Sequence, residues 1–179
     1  MDKTKILITS VSFYPRISPR SFRTTELAKE LARQGHDVTV LTYNRGFDYG
    51  NFSSNYNIKI EDFVYGKWKE IKGSNIIIRG FRFLLKHFLM FPDIQLTPLL
   101  KRALKNKTGY DLLISIAVPY PVHWGVALAK QKNTKLAKVW VADCGDPFMG
   151  NKEAKAKHPF YFQFIENWFC SIPNYLTVP

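Results

Sequence analysis

The sequence predicts an α/β fold: a Rossmann-like, doubly wound and mainly parallel sheet with helices on both faces. Three observations carry this. Short apolar or β-branched runs recur at 5–10, 37–42, 111–115, 138–142 and 175–178. Helix-like stretches separate them, and such alternation is the signature of a parallel sheet. The first run, KILITS, is continuously apolar at its centre, as a strand covered on both faces is.

Each element has a local reason. After the first strand a loop with aromatics and Pro15 leads to Ser18-Pro19. Serine caps free helical N–H groups, and proline fits the first helical position. Leu27, Ala28, Leu31 and Ala32 then share one face, with Glu26, Lys29, Glu30 and Arg33 on the other. Gly35 supplies the left-handed stop. Asp37 to Thr42 has strand length and β-branched character, which completes a βαβ unit.

The polar stretch Tyr43 to Tyr56, with two glycines, reads as a long surface loop. Ile58 to Tyr65 and Ile76-Ile77-Ile78 compete for the next strand. Phe81 to Phe91 reads as a helix, broken by Pro92-Asp93, and Leu96 to Lys105 as another with a basic end. Asp111 to Ser115 is a strand. Pro119-Tyr120-Pro121 opens a helix to about Lys132, and Lys138 to Ala142 is the next strand. His158 to Ile172 reads as helical and Tyr175 to Val178 as a final strand.

The 179 residues suit one domain, and 46% hydrophobic content excludes a disordered tail. Two cysteines, Cys144 and Cys170, exclude a disulfide-stapled scaffold and an all-cysteine zinc site. No metal site is expected. The apolar stretch Phe81 to Pro92 carries Arg82, Lys86 and His87 and is shorter than the ~20 residues a membrane span needs. The N-terminal run Ile6-Leu7-Ile8 is too short for a signal peptide. A cytoplasmic location with free thiols is the expectation. The net charge of +12 favours anionic partners: nucleic acid, acidic lipid or phosphorylated ligands. The basic clusters at Lys67 to Lys72 and Lys152 to Lys157 read first as solvated faces.

Dinucleotide, P-loop, H-E-x-x-H and G-x-S-x-G signatures are absent. In doubly wound sheets ligands bind beyond the carboxyl ends of the strands. Ranges 10–23, 43–55, 115–124 and 143–150 are therefore the ones to watch. The first presents a helix N-terminus with Arg20 and Arg23 in its opening turns, which suits an anion or a polyhydroxylated ligand. An ordinary cap with surface arginines is the competing reading. Asp143 and Asp146 flank a turn after a strand, where a carboxylate can orient or deprotonate a hydroxyl, or simply shape the turn. His123 lies just inside a helix start, where an imidazole can bond a sugar or phosphate, or serve packing. Phe81 to Leu100 reads either as a membrane contact or as core.

These residues form a larger pattern. Lys5 to Ser10, Tyr14-Pro15, Ser18-Pro19-Arg20, Arg23 and then ELAKELARQGHDVTVLT at 26–42 resemble the opening of GT-B-fold glycosyltransferases of the family-4-like group. Phe91-Pro92-Asp93, Asp111 to Ser115, Pro119-Tyr120-Pro121, and Ala142-Asp143 with Asp146-Pro147-Phe148 resemble that family's later blocks. The likeness covers nearly the whole chain except Tyr43 to Arg79. Two departures stand out: Ser18-Pro19-Arg20-Ser21 replaces a Gly-rich first loop, and Gly145-Asp146-Pro147-Phe148 replaces Arg-Asp-Pro-Trp.

The resemblance implies a hexosyltransferase-type enzyme moving a sugar from a nucleotide-sugar donor to a glycan or lipid-linked acceptor. Retention of configuration is expected, with no cofactor or catalytic metal. The whole of 1–179 is then a single N-terminal, acceptor-side domain, and the donor-binding C-terminal domain lies outside this chain, so the fragment is expected to be inactive alone. The expected contacts are Ser18, Arg20, Ser21, Arg23, Tyr120 and Asp143 for substrate, with Asp146 and His123 as catalytic candidates. Peripheral contact with the inner face of an anionic membrane fits the charge. A non-catalytic module for a phosphorylated ligand or nucleic acid is the alternative. Its basic residues form no single stripe with interleaved aromatics, so nucleic acid is not the expected partner.

Overall fold

The computed structural model describes residues 3–43, 46–63, 71–145, 148–149 and 158–178. Its six strands form one sheet in the order β3-β2-β1-β4-β5-β6. The strands are β1 (Lys5–Thr9), β2 (Asp37–Thr42), β3 (Ile58–Asp62), β4 (Tyr110–Ile116), β5 (Ala137–Asp143) and β6 (Tyr175–Thr177). Every pairing is parallel, with Leu7 opposite Thr39 on one side and Leu113 on the other.

The helices are α1 (Pro19–Arg33), α2 (Gly50–Tyr56), α3 (Ile76–Leu89), α4 (Leu96–Leu104), α5 (Pro121–Lys132) and α6 (Phe162–Cys170). Alternation along the strands sorts the core into two layers. Ile6, Ile8, Val38 and Val40 pack with Ala28 of α1 and Phe52 of α2. On the opposite face Leu7, Leu41, Leu113 and Trp140 pack with α4, α5 and α6 through residues such as Leu100, Val126 and Phe169. The doubly wound arrangement expected from the sequence is therefore present.

Local chemistry sets the boundaries. The Ser18 hydroxyl accepts from the Ser21 amide at 3.2 Å, and Pro19 begins α1. That helix ends where Gly35 takes φ 89°, while the His36 amide donates to the Leu31 carbonyl. One expectation needs correction, and one open choice is resolved. The stretch 43–56 is not all loop: α2 forms within it, its Phe52 ring buried against Phe13. Of the two candidates for the third strand, Ile58–Asp62 pairs with β2, whereas Ile76-Ile77-Ile78 opens α3. The Asn75 side chain caps that helix by accepting from the Ile78 amide, and the apolar repeat continues at helical spacing.

Among the described residues no helix is long and apolar enough to cross a membrane. Cys144 and Cys170 are both free thiols, Cys144 buried and Cys170 exposed.

Candidate functional site

The chain leaves β1 toward β2 and β3, and leaves β4 toward β5 and β6, so the crevice between β1 and β4 is the switch point of the sheet. The loops after those two strands diverge and leave a cleft of about 450 Å³. Its walls include Ser12, Arg16, Ser18 and Arg20 after β1, Tyr43 after β2, Val118 and Pro119 after β4, and Asp93 from the turn before α4. A second cleft of about 220 Å³ adjoins it, sharing Pro19 and Arg20 and adding Arg23, Asp143 and Gly145. A Cβ built on Gly145 would stand 3.8 Å from the Arg20 guanidinium, so this side chain lies across the end of β5.

The loop that builds the larger cleft is tied down. The Ser10 hydroxyl accepts from the Ser12 amide at 3.1 Å, and the Thr25 hydroxyl accepts from the Tyr14 amide at 3.1 Å. Inside α1 the Thr24 hydroxyl donates to the Arg20 carbonyl. Asp93 is half-buried, and burial pushes its carboxyl above the ordinary range, against the opposing pull of Lys86.

The residues singled out from the sequence separate into two groups. Ser18 and Arg20 line the larger cleft, and Arg20 and Arg23 the smaller one. Ser21 is buried, and its amide serves by closing the cap of α1. Asp143 lines the smaller cleft, with its carboxylate engaged: Arg23 lies 3.2 Å away and the Thr177 hydroxyl donates to it at 3.1 Å. Tyr120 is buried, its ring packed on His123 and Phe148 and its hydroxyl directed to the Cys144 carbonyl. Asp146 lies outside the described residues.

His123 is wholly buried, so it has no surface for a substrate to touch. The Trp140 indole N–H donates to the Ser115 Oγ at 2.8 Å, and the Ser115 Oγ lies 2.8 Å from the His123 Nδ1. Trp140 can only donate, so the serine proton is free to serve the imidazole. The ring stacks on Phe169, with centroids 5.0 Å apart. Burial pushes its pKa down to about 3, opposed by the Asp143 backbone carbonyl. The imidazole is thus neutral at pH 7 and ties the start of α5 to β4 through Ser115 and to α6 through Phe169.

Arg16, Tyr43 and Asp93 were not among the candidates. Arg16 and Tyr43 fall in the post-strand ranges the sequence marked, but nothing distinguished them from their neighbours. Asp93 comes from a segment that read as a helix break and as one block of the resemblance, with no contact assigned to it, and its place in the cleft depends on α4 packing against the sheet. Among the described residues there is no group of three or more histidine, cysteine or acidic side chains able to hold a metal ion.

Compared with known proteins, the chain matches no family model and no curated protein sequence.

Proposed function

We propose that the chain is the acceptor-side half of a two-domain glycosyltransferase, with the nucleotide-sugar donor held mainly by a further domain. The observation that carries this reading is the cleft at the β1–β4 switch point, where Arg16, Arg20 and the capped start of α1 face Asp93. Such a wall combines fixed positive charge with one carboxylate. The sequence likeness to the family-4-like group supports it in the same residues, 14–23 and 91–93.

In this reading the first-loop amides, Arg16 and Arg20 stabilise the negative charge that develops on the departing nucleoside diphosphate. Asp93 orients the acceptor hydroxyl. The leaving diphosphate itself helps take the acceptor proton, so transfer proceeds on one face of the sugar and configuration is retained. Arg23 and Asp143 fix the start of α1 against β5, and His123 with Tyr120 supports the loop after β4; all four act by positioning. Asp146 remains a candidate for a direct contact.

The test is release of nucleoside diphosphate by the native gene product from a panel of nucleotide sugars, with glycan and lipid-linked acceptors supplied. Acceptor-dependent release, reduced at least tenfold by Arg20→Ala, supports the reading. Nucleoside diphosphate release that is absent throughout the panel rejects it. The second reading, a non-catalytic module for a phosphorylated ligand, draws on the same arginines and the +12 charge. It predicts saturable phosphate-ester binding without turnover.

A further inference from the structure

Helix α3 stands apart from the rest of the fold. It is 14 residues long, strongly apolar, and has no buried residue. Ile77, Phe81, Leu84 and Phe88 recur at i, i+4, i+7 and i+11, so they form one stripe along it. They are 76%, 53%, 51% and 47% exposed, which is the reverse of what a helix docked on its own core shows. Arg79, Arg82 and Lys86, at i, i+3 and i+7, form a second stripe on another side, and the helix carries no acidic residue. Near its C-terminal end the Tyr161 hydroxyl donates to the Phe88 carbonyl.

The basic stripe faces a groove of about 580 Å³, lined by Arg79, Arg82, Lys86, Phe83, Phe91 and Asp93. Asp93 is also part of the cleft at the sheet edge, so the two spaces meet at that residue.

We infer that α3 is a docking helix for an anionic lipid surface, with Ile77, Phe81, Leu84 and Phe88 entering the acyl boundary and Arg79, Arg82 and Lys86 engaging lipid phosphates. A short amphipathic helix with aromatic and aliphatic residues on one side and cations on another binds interfaces in this way. Charge complementarity selects this occupant over a second copy of the chain. Two copies meeting through α3 would bring basic stripes together without an acidic partner on either helix, in a protein whose net charge is +12. Phosphate-bearing lipid supplies both the apolar layer and the negative charge. The inference rests on α3 alone and does not require sugar transfer. If both hold, a lipid-anchored acceptor enters the sheet-edge cleft from the side of Asp93.

The experiment is flotation of the purified protein with vesicles of phosphatidylglycerol and phosphatidylcholine, against vesicles of phosphatidylcholine alone. We expect at least tenfold more bound protein on the anionic vesicles. In the same assay, Phe81→Trp should show a blue-shifted emission and quenching by brominated acyl chains. Combining Ile77→Ser, Leu84→Ser and Phe88→Ser, all at exposed positions, should abolish binding while circular dichroism stays unchanged. Arg79→Glu with Arg82→Glu should remove the preference for anionic lipid. Failure to float at low salt would overturn the inference. So would binding untouched by the serine changes, or a dimer in sedimentation that those changes dissolve. The assay reads no sugar transfer, so its outcome is separable from that of the proposed activity.

Discussion

The Arg23 guanidinium lies 3.2 Å from the Asp143 carboxylate, so one ion pair joins the second turn of α1 to the last residue of β5. The two partners are unequally placed: the arginine side chain is 55% exposed and the aspartate 9%. Removing the cation leaves a buried carboxylate with the Thr177 hydroxyl, whereas removing the carboxylate leaves a solvated arginine. Arg23→Met should therefore destabilise the fold by about 1–3 kcal/mol, the cost of an under-satisfied buried group. Asp143→Asn should cost less. Urea midpoints of the two variants and the double variant decide it; an equal or larger loss for Asp143→Asn contradicts the assignment.

His123 makes stability depend on pH. Its folded pKa is depressed to about 3, against about 6.5 for a free imidazole. A depressed folded value means the unfolded chain binds the proton first. The stabilising contribution is whole above pH about 6.5 and declines as pH falls toward 3, by up to about 1.4 kcal/mol per pH unit. His158 is shifted the same way, mainly by burial and then by His87. Urea unfolding at pH 7.5 and 5.0 should show the loss, and His123→Asn should shrink it. An unchanged slope in the variant would show that other groups carry it.

Gly125 sets how closely α5 approaches α4. A Cβ there would lie 2.8 Å from the Leu100 Cβ and 2.9 Å from the Thr97 carbonyl oxygen. Backbone and a fully buried leucine cannot yield cheaply, so Gly125→Ala should cost about 1–3 kcal/mol. Thermal unfolding measures this, and a neutral or raised midpoint contradicts the packing described.

Asp93 has a carboxyl raised by burial. A raised folded value means stability is greatest while the group is protonated and falls as pH rises through it. Asp93→Asn should thus be at least as stable as the parent at pH 8, yet lose sugar transfer at least tenfold. Destabilisation of the variant at pH 8 would place a paired charge there instead.

Much of the architecture was legible because it is local. The Ser18-Pro19 cap, the α1 repeat, the Gly35 stop and the run Asp37–Thr42 each need only their neighbours, and the structure places them within a residue. The stretch 43–56 was harder. Its residues are poor helix formers, and α2 exists because Phe52 and Tyr49 pack on Phe13 and Tyr56 packs on Phe52, which no local rule announces. Ile76-Ile77-Ile78 is β-branched and looked strand-like, but the Asn75 cap and the repeat beyond it decide for helix.

The site was legible only in part for the same reason. Arg20 and Arg23 could be placed at the sheet edge from the order of strand, loop and cap. The burial of His123 and Tyr120 depends on α6, through Phe169, and on Phe148, both distant in sequence. Asp93 reaches the cleft through the docking of α4. Tertiary packing, rather than local spacing, decides which polar side chains meet solvent there.

Sugar transfer by the native gene product, with the large cleft altered at Arg16 and Arg20, decides whether that cleft is the reaction site. Acceptor-dependent release of nucleoside diphosphate should fall at least a hundredfold in Arg16→Ala/Arg20→Ala while the circular dichroism spectrum and urea midpoint hold. Undiminished transfer in that folded variant would contradict that role for the cleft.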